Sequence, residues 1–213
     1  ASDVYKRQDL YHNEKEKRPV CLSEYGGGGA ISQHKDNVDW ESDIDPVGVR
    51  HYENYQSQLH EILWKQFSVR KYLWAEFIWC MFDFASYGRT EGDTKSLNDK
   101  GLCTRERIPK DVYFFYRSVW SSEKTVYITE RRHEFRACDV PFVKVYSNAD
   151  AVELCINDVS HGRISRCELP NDESTVFVWE NIKIKPDTKN KICAKAYFSD
   201  GTSRTDYAFW TGK

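Results

Sequence analysis

The chain has 213 residues, of which 40% are hydrophobic and 30% charged, and its 31 basic and 33 acidic residues leave a net charge of −2. This is too apolar for a disordered chain, offers no run near the ~18 apolar residues of a membrane span, and lacks the basic surplus of a nucleic-acid-binding surface. At ~150 residues per domain the length corresponds to between one and two domains.

In chain order, Asp3-Val4-Tyr5-Lys6-Arg7-Gln8 resembles the in-frame translation of a sequencing adapter. Residues 1–8 are therefore set aside as an adapter-derived tail, and the native chain is expected to continue upstream of Asp9. Residues 19–24 form a short apolar run ended by Glu24 and followed by Gly26 to Gly29. An unbroken apolar run of this kind predicts a buried parallel strand. The polar stretch 31–48 is long enough to be a functional loop over a site. Tyr52, Tyr55, Leu59, Ile62, Leu63 and Phe67 then fall on one face of a helix over 49–67. A second apolar run from Leu73 through Trp79 predicts the next buried strand, and the loop 83–100 follows it. Pro109 at a helix N1 position opens a helix over 110–120, with Val112, Phe115, Tyr116 and Val119 inward. Two strand–loop–helix units in succession predict a parallel sheet.

After Trp120 the period changes from helical to alternating. Strands are predicted at 125–129, 142–147, 152–156, 175–179 and 191–198, with turns at Asn157-Asp158 and Asp200-Gly201. Their number and spacing predict an immunoglobulin-like antiparallel β-sandwich. The fold class is thus α/β followed by all-β, divided into residues 9–122 and 123–213.

The seven cysteines contain no CxxC pair. Their odd, scattered arrangement predicts free thiols and favours a reducing compartment, and it offers no metal-binding spacing. Aromatic residues, at 15%, suit either sugar stacking or a large core.

Glu24 is the leading candidate for chemistry, because a carboxylate at the C-terminal end of a parallel strand stands where α/β barrels keep catalysis. A strand-end cap or an ion-pair partner is the alternative. The glycine run fails the dinucleotide pattern, since Ile31 occupies the third glycine position. His34 reads as a solvated loop residue, and Glu91 and Asp93 as residues ordering their loop.

Ser23-Glu24-Tyr25-Gly26 resembles the nucleophile motif of glycoside hydrolase family 2, which includes β-galactosidases and β-glucuronidases. Four further segments match in family order: residues 77–84 (FIWCMFDF), Glu91-Gly92-Asp93, residues 98–102 (NDKGL) with Arg107-Ile108-Pro109-Lys110, and the helix from Tyr113 to Trp120. Val145-Tyr146-Ser147-Asn148-Ala149 and Glu153-Leu154 resemble the sandwich that follows the barrel in many members. The resemblance implies the last two βα units of a (β/α)₈ TIM barrel and the domain after it, in a retaining β-glycosidase that needs no cofactor or metal. It implies Glu24 as nucleophile, with hydrogen-bond donors around it to keep it ionised. Trp79 would line the sugar subsite, with packing at the barrel mouth as the alternative. Asn98 and Lys100 would bind substrate, gripping a sugar carboxylate in the β-glucuronidases, but β-galactosidase-like members carry the same element, so it leaves the sugar open.

The family's acid/base lies far upstream of its nucleophile. Asn13-Glu14 copies the dipeptide that carries it, but Glu14 stands ten residues before Glu24, too close for the dozen or more residues of a parallel crossover. Glu14, with Lys15, Glu16 and Lys17, reads as a solvated helix end. The expected function is a fragment of a retaining exo-β-glycosidase acting on β-galactosides, with a carbohydrate as its partner. A β-glucuronidase-type member and a non-catalytic carbohydrate-binding module are the alternatives. The resemblance also allows a periplasmic or secreted address.

Overall fold

The computed structural model describes residues 9–10, 12–13, 19–45, 47–170 and 174–213. The adapter-like segment and Glu14 lie outside them.

The first half contains the two expected βα units. Strand β1 (Val20–Tyr25) leads through a long loop to helix α1 (Glu53–Phe67), and β2 (Leu73–Ile78) leads through a second loop to α2 (Asp111–Trp120). The strands pair in parallel, with Val20 opposite Leu73 and Tyr25 opposite Ile78. A helix is the usual crossover for such a pair, because parallel neighbours cannot be joined by a tight turn. Leu22, Tyr25, Leu59, Leu63, Phe67, Val112 and Phe115 form the core between sheet and helices.

Three local expectations are corrected. The buried side of α1 is rotated from the apolar stripe: Ile62 is exposed, while Glu53, Asn54, Gln56, Ser57 and His60 are buried. These polar residues face the glycine loop and the second half of the chain, where backbone groups and ions need partners. The strand at 73–78 is not covered on both sides, since Trp74 and Phe77 are exposed. Pro109 lies before the N-cap residue Lys110 rather than at N1. The loop after β2 also contains a small antiparallel ribbon, β3 (Phe84–Ala85) with β4 (Leu97–Asn98).

The second half is a two-sheet sandwich. One sheet has the order β10 (Val176–Lys183), β7 (Asp139–Ser147), β5 (Val126–Ile128). The other runs β6 (Phe135–Arg136), β12 (Ser203–Gly212), β11 (Lys189–Tyr197), β8 (Ala151–Ile156), β9 (Val159–Ser165). The expected strands are present, and both turns are where the sequence puts them. Asn157 and Asp158 take positive φ of 50° and 67°, as a two-residue hairpin requires. The sandwich is not purely antiparallel, because β6 pairs in parallel with β12. Strands β6, β9 and β12 carry weak sequence signals. The first is two residues long, the second is mostly exposed and polar, and the third has aromatic residues on both faces. Val143, Val145, Leu154, Phe177, Ile192 and Trp210 fill the space between the sheets.

The halves are fastened together by rings and charges. Phe114 of α2 stacks on Tyr127 of β5 at 3.7 Å between centroids, and Tyr127 Oη donates to Asp111 Oδ1 at 2.7 Å. Glu61 of α1 accepts from Lys144 Nζ at 2.8 Å and from the Tyr146 hydroxyl. No helix among the described residues is long and apolar enough to cross a membrane.

Leu154 is fully buried in the sandwich. Leu154→Ala is expected to lower unfolding stability by about 2–5 kcal/mol, read from denaturant midpoints; a change near zero would contradict this account of the core.

Candidate active site

Glu24 is exposed near the C-terminal end of β1. Two backbone hydrogen bonds bring the other candidates beside it. Trp79 N–H donates to Tyr25 O at 2.9 Å, and Cys80 N–H donates to Lys100 O at 3.2 Å. Glu24, Trp79 and Lys100 therefore stand on three chain segments knitted together at one end of the parallel sheet. Trp79 is 42% exposed and packs edge-on against Phe84, with centroids 5.9 Å apart. Phe84 is in turn the ladder partner of Asn98. The Asn98 side chain is buried, and its Oδ1 accepts the backbone N–H of Lys100 at 3.1 Å. An open groove of about 670 Å³ runs from Trp79 past Met81 and Phe84 to Arg105 and Arg107.

Beneath this surface lies a buried polar platform that holds the loops bearing the candidate residues. The Lys110 side chain is wholly out of water. Its Nζ donates to Gly29 O at 2.6 Å, Asp99 O at 2.8 Å and Asp83 Oδ1 at 2.8 Å. These acceptors use all three ammonium protons. Asp83 Oδ1 also accepts Gly101 N–H at 2.8 Å. Burial raises the Asp83 carboxyl, against the pull of the Lys110 charge. Asp99 pairs with His51 Nδ1 at 2.8 Å, and Gln56 Nε2 donates to Gly27 O and Gly101 O.

The glycine run is a packing device. A Cβ on Gly27 would come within 2.5 Å of Leu59, on Gly28 within 2.4 Å of Asp99, and on Gly29 within 2.6 Å of Gln56. Gly26 adopts φ of 136° where the strand turns, a region L side chains rarely enter. Under this turn His60 Nε2 accepts Gly27 N–H at 3.3 Å, and its Nδ1 lies 2.9 Å from the Tyr116 hydroxyl. Accepting at Nε2 leaves Nδ1 as the protonated nitrogen of a neutral ring. Tyr116 then meets the hydroxyl of Tyr25, next to Glu24, at 3.0 Å. Burial pushes the Tyr25 phenol up to about 12. Burial, followed by the nearby charge of Lys110, pulls His60 down to about 3.

One site expectation is corrected, and another finds no counterpart among the described residues: nothing among them donates a hydrogen bond to Glu24. His34 is not solvated. Its side chain is 6% exposed and stacked on His133 of the sandwich at 5.6 Å, and Nε2 donates to Ile31 O at 2.9 Å. Glu91 and Asp93 do order their loop, through Arg89 and Thr90 in one case and Ser32 and Thr94 in the other. All seven cysteines are free. Asp36, Glu130 and His133 come close enough together to hold a metal ion. The Arg136 guanidinium already bridges two of them, bonding Asp36 and lying 2.8 Å from Glu130.

Gln56 and His60 carry no spacing signal of their own. Asp83 and Lys110 lie inside the family-like segments 77–84 and 107–110, and a further hint is a lysine directly after Pro109, at a helix start where a cation is poorly placed against the dipole.

Lys110→Met leaves the Asp83 carboxyl buried without its partner and is expected to cost about 3–5 kcal/mol in chemical denaturation. Adding Asp83→Asn should restore part of that loss, and equal losses in the single and double variants would argue against the pairing. His60 is neutral in the fold, and its folded pKa lies below the unfolded value of ~6.5. Its contribution is therefore complete above pH ~6.5 and is lost as pH falls toward the folded value, by about 2–3 kcal/mol between pH 7 and 4.5. The stability of His60→Gln should depend less steeply on pH over that range; an unchanged slope would refute the neutral, buried imidazole.

A family model described as a domain of unknown function (DUF4982) matches residues 140–204. A β-glucuronidase of Bacteroides fragilis is 35% identical over 178 residues, covering 83% of this chain and 24% of that protein. The β-galactosidase BoGH2A of Bacteroides ovatus is 24% identical over 137 residues, covering 64% of this chain and 16% of that protein. Among solved structures, the FMN-binding β-glucuronidase of Facaelibacterium prausnitzii L2-6 superposes with a TM-score of 0.82 at 30% identity, over 100% of this chain and 30% of that one. The chain is homologous to glycoside hydrolases of the β-glucuronidase and β-galactosidase type, and it spans about a quarter or less of the curated relatives it matches.

Proposed function

We propose that the protein to which this chain belongs is a retaining exo-β-glycosidase and that Glu24 is its nucleophile. The chain then supplies the last two βα units of a (β/α)₈ barrel and the sandwich after it. The observation that carries this reading is the convergence of Glu24, Trp79 and Lys100 at one strand end through the Tyr25–Trp79 and Cys80–Lys100 backbone bonds. A nucleophilic carboxylate, an exposed indole for the C–H face of a pyranose and an ammonium for a charged substituent are complementary parts of one sugar subsite.

The chemistry is double displacement. Glu24 attacks the anomeric carbon while a second carboxylic acid, ~5–5.5 Å away, protonates the departing oxygen. That second group then takes a proton from water, which attacks the glycosyl-enzyme and releases the sugar with its configuration retained. The acid/base is assigned to the barrel segment upstream of β1. The parent's incubation with a fluorinated mechanism-based glycoside should leave a covalent adduct on Glu24, found by peptide mass spectrometry. An adduct on any other residue would overturn the assignment. The present chain alone should turn over a nitrophenyl glycoside no faster than its Glu24→Gln variant.

With the β-galactoside expected from the sequence as the alternative, we propose a β-glucuronide as the sugar. Two observations favour it. Lys100 has no carboxylate partner among the described residues, and the similarity to the B. fragilis β-glucuronidase is stronger than that to the β-galactosidase. Lys100 Nζ would pair with the sugar carboxylate, and Asn98, whose Oδ1 is engaged by the backbone, would offer its Nδ2. Lys100→Met in the parent is expected to reduce kcat/KM for a nitrophenyl glucuronide about ten- to a hundredfold while sparing a nitrophenyl galactoside. Equal losses on both substrates would remove the carboxylate role.

A further inference from the structure

The outward face of the five-stranded sheet carries aromatic rings and cations in near one-to-one proportion. Phe135 on β6, Tyr207 and Phe209 on β12 and Tyr197 on β11 all point away from the core. The first three are 54%, 49% and 43% exposed. Cross-strand register places them on one surface: Phe135 stands opposite Thr211, Phe209 opposite Lys191, Tyr207 opposite Cys193, and Tyr197 opposite Ser203 and Ala151. Each ring has a cation over it. Lys213 Nζ is 4.3 Å from the Phe135 centroid, Lys189 4.8 Å from Phe209 and Lys191 5.6 Å from Tyr207. Tyr197 has two, Lys195 at 5.2 Å and the Arg163 guanidinium at 4.1 Å.

The strand positions of this face hold fewer acids than cations. Glu153 is engaged by Ser160 Oγ and Tyr197 Oη, and Asp158 pairs with Lys191 at 2.7 Å. The face is therefore basic in a chain whose net charge is −2.

We propose that this face is a binding surface for an anionic polysaccharide of the polyuronate class. A uronate unit is a ring with an apolar C–H face and one carboxylate. A surface offering one aromatic ring and about one cation per position is complementary to a polymer of such units, unit for unit. Alternate side chains along a strand lie ~6.8 Å apart and neighbouring strands ~4.8 Å apart, spacings on the scale of one sugar ring. Nucleic acid fits less well: duplex DNA presents a charge every ~1.7 Å, far denser than these cations, and single strands are held in grooves that track the backbone. The proposal concerns the sandwich alone and stands or falls independently of the role given to Glu24.

The test is affinity electrophoresis of the whole 213-residue chain through gels containing β-linked polymannuronate, neutral β-mannan or single-stranded DNA. Retardation by polymannuronate alone is expected, and it should weaken at ~1 M salt, where the Debye length is ~3 Å. The paired variants Tyr207→Ala with Phe209→Ala, and Lys189→Glu with Lys195→Glu, should each weaken retardation at least tenfold. Lys183→Glu, on the opposite sheet, should leave it unchanged. No retardation, equal retardation by mannan, stronger retardation by DNA, or salt-insensitive binding would overturn the proposal. So would paired variants that fold normally by circular dichroism and bind undiminished, which would mean that the lysine stems merely cover the rings. The salt and ligand comparisons on the unaltered chain remain decisive if a paired variant fails to fold.

Discussion

Lys110 sits at the N-terminal edge of α2 with its ammonium removed from water, and each of its three protons goes to a different stretch of chain. One meets the carbonyl of Gly29 after β1, one the carbonyl of Asp99 after β4, and one the carboxylate of Asp83 after β2. Desolvating an ammonium costs several kcal/mol, and the attraction of a single partner offsets that only when the remaining donors are also filled. The arrangement therefore works as a unit: every acceptor must be in place or the lysine is in the wrong solvent. The loops that shape the strand ends are held in register by this one constraint. Asp83, by also accepting Gly101 N–H, extends it to the segment that carries Lys100.

The polar inner side of α1 follows from the same need. Gln56 and His60 are buried because the glycine loop turns backbone groups toward the helix, and glycines allow the approach that those bonds need. At the other end of the helix face, Glu53 Oε1 accepts Asp111 N–H at 3.0 Å and Arg132 Nη1 at 2.7 Å. Burial, reinforced by the neighbouring Asp111 charge, pushes its carboxyl up to about 8. Glu130, buried beside Arg136, is raised to about 7. The seam between the βα units and the sandwich is thus polar and hydrogen-bonded as well as aromatic. That makes the relative position of the two halves specific rather than merely apolar, since each buried polar group must find its own partner.

On the rigid base formed by platform and seam, the exposed groups divide between two surfaces. The strand-end surface gathers Glu24, Trp79 and Lys100, with a groove leading to Arg105 and Arg107. The outer sheet of the sandwich displays rings under cations. Both present flat apolar area together with positive charge, the pairing that an acidic sugar offers in complement.

The amino-acid sequence by itself determined the succession of elements, because that information is local. Apolar runs marked β1 and β2, helical periodicity marked α2, and Asn157-Asp158 and Asp200-Gly201 marked hairpins through their tolerance of positive φ. The position of Glu24 at a strand end was legible for the same reason, as were Trp79, Asn98 and Lys100 through their motifs. Tertiary structure decided what no local pattern encodes. Ile62 sits on the apolar stripe of α1 yet faces out, because the helix turns its polar side toward the glycine loop and the sandwich. His34 looks like a loop residue yet is enclosed, because His133, almost a hundred residues later, stacks upon it. Lys110 and Asp83 are ordinary charges in one dimension and become a buried pair only when three distant carbonyl and carboxylate oxygens converge. Periodicity reports which residues avoid water, whereas the partners of a buried charge are fixed by contacts between segments far apart in the chain.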